Sequence, residues 1–337
     1  MKKCYKYLVL ALPLALSMCS PKNPVGSEPE PKWVAMNTGL TSLTIQCITP
    51  APDQANTLYI GTLDGVFVSE NGGKNWQARN TGLTTRDSKS LATHPQNGSL
   101  VFCGSWGSGV FKSANGGLNW TAVWNNEQNP FIAAVAYGSN GVLWAATRNG
   151  LYKSIDQGLN WTKAYTDGIV TTVAVNPANA KEIFIGVEYR GNFKSADNGK
   201  TWLAINEGIY WNDTYGVLSA NAFAFNPKNT AILYLCTGSV DIYKSVNGGL
   251  SWMQYPQDVS DFKVTSVAVD PVTPENVWVA TQNRGVMTSV NGGVSWTEKN
   301  NGLPTFQLKA IGVTGGNNSD LFVGTIGEGI FKYSEKG

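Results

Sequence analysis

The octapeptide SVNGGLSW, Ser245 to Trp252, decides the fold, because the chain repeats it five more times. The other copies are SENGGKNW (Ser69 to Trp76), SANGGLNW (Ser113 to Trp120), SIDQGLNW (Ser154 to Trp161), SADNGKTW (Ser195 to Trp202) and SVNGGVSW (Ser289 to Trp296). The common pattern is Ser-x-Asn/Asp-x-Gly-x-Asn/Ser/Thr-Trp. A short alternating run such as GVFVS, GVFKS or GLYKS precedes each copy and reads as a β-strand. Asn or Asp bonds a backbone N–H two residues on, and Gly supplies a positive φ, so the segment turns the chain back. The Trp then opens the next strand and offers a large apolar surface to a neighbouring sheet. Each copy is therefore a hairpin with an anchor, and nothing in it requires catalysis.

The spacing extends this local reading to the whole chain. Successive anchor tryptophans lie 44, 41, 41, 50 and 44 residues apart. A period in the forties with four short strands per unit predicts an all-β protein built as a β-propeller. In one unit the strands read KVTSVAVDP, NVWVAT, GVMTS and SWTEKN; a final unit, LKAIGVTG, DLFVGT and GIFKY, lacks its fourth strand. That strand is found near the other end. WVAMNTGL, Trp33 to Leu40, matches WQARNTGL, Trp76 to Leu83, at six of eight positions. The expectation is a seven-bladed propeller over residues 32–337, with the N-terminal strand completing the last blade and leaving no open edge.

The SxDxGxxW hairpin resembles the Asp-box, or BNR repeat, of sialidases, sortilin-type receptors, xyloglucan-degrading hydrolases and photosystem II assembly factor-like proteins. Asn stands for Asp in four of the six copies, which keeps the turn chemistry and removes charge. The resemblance covers about residues 32–337 and implies the fold. Enzymes and non-enzymes share it, so the function has to come from a site.

Residues 1–19 read as an export signal, with Lys2, Lys3 and Lys6 ahead of the apolar run Leu8 to Leu16, which is too short to span a bilayer. LSMC, Leu16 to Cys19, resembles a bacterial lipobox, although Met18 replaces the usual small residue; the resemblance implies lipid attachment at Cys19. Residues 20–31, SPKNPVGSEPEP, form a Pro-rich linker. The expected place is the bacterial cell envelope, exported and membrane-held. The formal charge is +2, and without the three signal lysines it is −1. A near-neutral head without a basic run gives no support for nucleic-acid binding. Cys47, Cys103 and Cys236 fall in different blades, which argues against pairing, and read as small buried apolar residues. His94, the one histidine, reads as a turn residue. No metal-binding spacing occurs, and no cofactor is expected.

Ligands of propellers gather around the channel mouth, on the face opposite the Asp-box turns; this is carried over from the fold. The loops between strands two and three supply Asp64, Trp106, Arg148, Glu188, Tyr189, Arg190, Gln282, Asn283, Arg284 and Glu328 to that face. Arg is a bidentate partner for carboxylates and stacks on aromatic rings. The longest connection, Asn206 to Phe223, adds Tyr210, Trp211, Asp213 and Tyr215, aromatics suited to a peptide or a sugar. The residues expected to bind are Trp106, Arg148, Glu188, Tyr189, Arg190, Tyr210, Trp211 and Arg284, with no catalytic residue assigned.

Three functions compete. One is a monomeric, non-catalytic binding or assembly scaffold whose mouth takes a protein. Another is a glycoside hydrolase: Arg148, Arg190 and Arg284 with Tyr189, Glu188 and Asp64 imitate a sialidase set. The Phe/Tyr-Arg-Ile-Pro motif of sialidases is absent, however, and the xyloglucan hydrolases use a cleft between two propellers. The third is carbohydrate binding through Trp106, Tyr210 and Trp211. Two carboxylates and at least two arginines converging in one pocket would favour the hydrolase.

Overall fold

The computed structural model describes residues 30–124, 131–212, 216–237, 242–255, 263–315 and 319–335, apart from the side chains of 211, 212, 216 and 217. The expected signal, Cys19, the linker up to residue 29, Asp213 and Tyr215 lie outside the described residues.

Seven four-stranded antiparallel sheets follow one another along the chain as the blades of a propeller. Blade one is Ile45–Pro50, Leu58–Thr62, Gly65–Ser69 and Gln77–Ala78, counted from the channel outward. Blade seven takes Leu308–Val313, Leu321–Thr325 and Ile330–Ser334 from one end of the ring and Lys32–Ala35 from the other. Lys32 lies opposite Ser334, Trp33 opposite Tyr333, Val34 opposite Lys332 and Ala35 opposite Phe331. The seam is thus an ordinary antiparallel pairing, as the WVAMNTGL match predicts.

Neighbouring blades bury each other. In six of the seven blades strand two is buried along its whole length, as in LYIGT (Leu58–Thr62) and IFIGV (Ile183–Val187), because another blade covers each face. One core cluster joins Trp144, Ala146 and Leu151 of blade three to Val170, Val173, Ile183 and Ile185 of blade four. A Cβ on Gly186 would fall 2.4 Å from the Ala220 carbonyl oxygen of blade five, so glycine lets the blades approach. The same arrangement accounts for the cysteines, which the sequence reads as unpaired apolar residues. Cys47 and Cys103 belong to different blades, yet both join one inter-blade cluster, since consecutive blades pack face to face. Cys47, Cys103 and Cys236 are free thiols.

The Asp-box forms as its residues dictate. In blade five, Ser245 donates its hydroxyl proton to Asn247 Oδ1 at 2.8 Å. The Gly249 N–H donates to Ser245 Oγ at 2.9 Å, and the Ser251 N–H to Asn247 Oδ1 at 3.0 Å. Gly248 and Gly249 take φ of 70° and 86°; Gln157 and Asn198 hold left-handed positions in blades three and four, at 59° and 62°. The anchor then reaches the blade before its own. Trp252 Nε1–H donates to the Ile205 carbonyl at 2.8 Å, Trp120 to Arg79 at 2.8 Å and Trp76 to Met36 at 2.7 Å. Trp33 closes the circle by donating to the Lys299 carbonyl at 2.7 Å. Trp296 differs: its indole donates to Gly293 in its own turn, at 2.9 Å. A cation on the preceding blade adds a second tie in several places, as where Lys244 Nζ donates to the Gly292 carbonyl at 2.7 Å.

The connection Asn206 to Phe223, read from sequence as a loop, contains structure. Trp211–Asn212 pairs with Gly216–Val217, and the inner strand of blade five, Ala220–Phe225, begins inside the stretch.

Candidate binding site at the channel mouth

The site is built first by the inner strands. In all seven, the pairing with strand two shifts register near the start, leaving one residue unmatched; in blade one the shift lies between Ile45 and Cys47. The others fall at equivalent places. A bulge re-aims the side chain it carries. The unmatched residues are Gln46, Lys89, Ala133, Thr171, Asn221, Thr265 and Lys309, and all seven line a channel cavity of about 460 Å³. The ring therefore holds two lysines and no acid.

Loops between strands two and three rise above this ring. A threonine fixes several of them: Thr147 Oγ1–H donates to the Gly150 carbonyl at 2.9 Å, while the Asn149 N–H donates to Thr147 Oγ1 at 3.0 Å. Thr62, Thr281 and Thr325 bind the glycine ends of their loops in the same way. Arg148, held on such a loop, places its guanidinium carbon 4.7 Å from the centre of the Trp106 ring and 4.9 Å from that of Phe131. Trp106 and Phe131 meet edge to face at 5.3 Å. Lys89 Nζ approaches the Trp106 ring at 5.4 Å. The result is an aromatic pair flanked by cations.

Trp106, Arg148 and Glu188 line one mouth pocket of about 500 Å³ with Lys89, Lys309 and Ile169. It meets the channel at Lys89, Ala133, Thr171 and Lys309, which line both cavities. Gln46 orients the rim: its Nε2–H donates to Asp87 Oδ1 at 2.8 Å, and Lys89 Nζ donates to its Oε1 at 3.3 Å. Lys89 stands 3.8 Å from Asp87. Burial pushes the Lys309 pKa down, Lys89 pushes it the same way and Asp87 opposes them. Glu188 is the only acidic side chain among the described residues lining the mouth pocket.

The remaining expected residues stand elsewhere. Tyr189 is 64% exposed at a positive φ of 61° and does not line the pocket. Arg190 is ion-paired with Asp167, and Arg284 Nε lies 3.9 Å from Glu298 Oε1 on the outer strand of its blade. Tyr210 is 59% exposed, with its backbone N–H donating to the Tyr243 hydroxyl at 3.3 Å. The Trp211 side chain lies outside the described residues. One arginine and one carboxylate thus meet in the mouth pocket, while the lysines that join them went unnoticed in the sequence. The available signal was a polar residue at the same place in six of the seven inner strands, as in IQCI, SKSL, VTTV and LKAI, with Ala133 the exception. Among the described residues no three His, Cys, Asp or Glu side chains gather as a metal site.

A closed seven-bladed Asp-box propeller with a cationic, aromatic mouth is, as a class, a repeat scaffold. The chain belongs to the family of photosynthesis system II assembly factor YCF48, whose model matches residues 27–302. Solved structures give the fold independently. YCF48 bound to a D1 peptide matches with a TM-score of 0.65 at 15% identity, over 91% of this chain and 97% of that one. YCF48 from Cyanidioschyzon merolae matches with a TM-score of 0.66 at 13% identity, over 90% and 98%. The GH74 xyloglucanase of Xanthomonas campestris has a TM-score of 0.69 at 17% identity, over 90% of this chain and 53% of the enzyme. This chain therefore spans about half the length of that xyloglucanase. Among curated protein sequences none matches the chain significantly.

Proposed function

We propose that the protein is a non-catalytic binding scaffold of the bacterial cell envelope, held by lipid at Cys19, whose channel mouth grips a carboxylate-bearing segment of a partner protein. The observation that carries this reading is the composition of the mouth pocket: Arg148 and Lys309, with Lys89 shared with Asp87, stand around Trp106, and Glu188 is the one acid among the described residues that line it. An anionic side chain or a terminal carboxylate meets Arg148 and Lys309 there, and the apolar part of the segment lies on the ring. Family membership supports a protein partner, since one member of the family is solved with a D1 peptide bound. Hydrolysis of a glycoside would need a second carboxylate across the pocket from Glu188. Arg190 and Arg284 are already engaged by acids, so neither adds to a sialidase-like triad.

The test is selection from a displayed peptide library on the purified protein. Peptides rich in Asp and Glu, or bound through a free C-terminus, are expected, and Arg148→Ala with Lys309→Gln should reduce their capture by at least tenfold. Peptides without an acidic group, bound equally by the variant, would refute the site. Turnover of a fluorogenic sialoside or β-glucan that is lost in Glu188→Gln would replace the scaffold reading with the hydrolase.

A further inference from the structure

The six Asp-box turns share one face of the ring, and that face carries aliphatic side chains for which the turn has no use. Serine, Asn or Asp, Gly and Trp supply the hydrogen bonds and the anchor. The side chains at the second and sixth positions supply neither, and they are exposed. Blade one shows that charge is tolerated there. It holds Glu70 and Lys74 at these positions, yet its Ser69 donates to Asn71 Oδ1 at 3.0 Å and its Gly73 N–H donates to Ser69 Oγ at 2.9 Å, as elsewhere. Around the ring, the sixth position reads Lys74, Leu118, Leu159, Lys200, Leu250 and Val294. Ile155, Val246 and Val290 stand at the second position beside three of these. All seven aliphatic residues in the two sets are between 51% and 77% exposed. Lys74 and Lys200 are exposed as well. No sixth position holds an acid.

The chain reaches this same face at its N-terminal side. Trp33 occupies the place that Trp76 and Trp120 hold after their turns, since its indole ties to the preceding blade in the same way. Residues 30–32 therefore stand where an Asp-box would stand in blade seven, with the Asn301 side-chain N–H donating to the Pro31 carbonyl at 3.1 Å. The Pro-rich linker and the apolar run Leu8 to Leu16 lie upstream of that point.

We infer that the Asp-box face is a membrane-docking surface that rests on a bilayer, with Leu118, Leu159, Leu250 and Val294 entering the headgroup boundary and Lys74 and Lys200 meeting lipid phosphates. Aliphatic groups interleaved with lysine are the chemistry of an interfacial surface, and the acids of these turns are engaged within the protein, Glu70 by Arg79, Asp156 by Asn160 and Asp197 by Thr201. A partner of this kind also suits their arrangement, since residues repeated around a ring meet a flat surface together. The inference rests on the lipid-anchor reading for its direction, because the tether departs from the same face. It turns the channel mouth away from the membrane, toward a partner.

The experiment is hydroxyl-radical footprinting of the full chain on vesicles of phosphatidylethanolamine and phosphatidylglycerol, compared with the same chain without lipid. Oxidation of Leu159, Leu250, Val290 and Val294 should fall severalfold on vesicles. Leu63 and Tyr189, exposed on the opposite face, should be unchanged. Leu159→Lys with Leu250→Asp should restore oxidation of the remaining aliphatic residues. Equal oxidation of the two faces on vesicles would overturn the inference. So would protection that appears in native membranes and not on pure lipid, which would assign the face to a protein. Absence of lipid on Cys19 would refute the anchor alone; protection of the ring in unacylated chain added to vesicles would still support docking.

Discussion

Replacing Trp252 by Ala should cost far more than replacing Trp296 by Ala, although both are Asp-box anchors. Trp252 is 3% exposed and packs with Phe184, Ile205, Ile209 and Tyr243 between blades four and five. Truncating a buried Trp costs about 3–5 kcal/mol. The Ile205 carbonyl would also lose its indole donor in a buried setting, which adds about 1 kcal/mol and places the expected loss near the top of that range. Trp296 is only partly buried, and its indole bonds to Gly293 within its own turn. Its removal should cost about 2 kcal/mol, the loss of a partly buried ring without an inter-blade tie. At roughly 2 °C per kcal/mol, the lower end for a chain of this size, the melting temperature should fall by about 8–10 °C for Trp252→Ala and about 4 °C for Trp296→Ala. Calorimetry and urea denaturation of the two variants check the difference, with peptide capture at the mouth preserved in the folded fraction of both. Equal losses, or a loss below about 1 kcal/mol for Trp252→Ala, would show that the cross-blade tie carries no stability.

The two acidic turns should respond to pH where the Asn turns do not. Hydrogen bonds from the Asn160 backbone and side chain hold Asp156 down from 3.8 to about 2, and the Thr201 hydroxyl and backbone hold Asp197 well below the ordinary range. These lowered values stabilise the fold above about pH 4, and that contribution disappears as pH falls toward 2. Asp156→Asn with Asp197→Asn should therefore flatten the decline in melting temperature between those limits; an unchanged slope would exclude the turns as its source. Deleting Lys32–Ala35 should expose the edge of Ile330–Ser334 and produce concentration-dependent association, visible by light scattering. A monomeric variant with an unchanged melting temperature would mean that the strand does not close the ring. Burial pushes the thiols of Cys47, Cys103 and Cys236 up to about 12. Cys103 and Cys236, fully buried between blades, should not be alkylated at pH 8 in the native protein and should be in urea, while rapid native labelling of either would indicate that the blades separate.

The fold was legible because its rule is periodic. Each anchor tryptophan marks a blade, and the match between Trp33 and Trp76 shows which strand completes the seventh. The mouth was legible only where residues sit on loops of predictable position, as Trp106 and Arg148 do. Lys89 and Lys309 escaped because a bulge is a property of two strands together, and a single strand's alternation does not reveal which residue it leaves unmatched. Arg190 and Arg284 looked equivalent to Arg148 by repeat position. Their engagement by Asp167 and Glu298 depends on side-chain reach across neighbouring segments, which the repeat does not encode.

The seam has a consequence for how the protein comes into being. Lys32–Ala35 emerges from the ribosome before any other strand of the ring, while its partner, Ile330–Ser334, emerges after all the rest. Throughout synthesis Lys32–Ala35 therefore waits for a partner that appears last, so joining the two is a late, long-range step of the kind that folds slowly. Until then the most recently finished blade is half-clad on the side where the next has yet to arrive. The span most exposed to misassembly is therefore the interval before the last strand appears, and a companion that shields an open edge would act then or not at all.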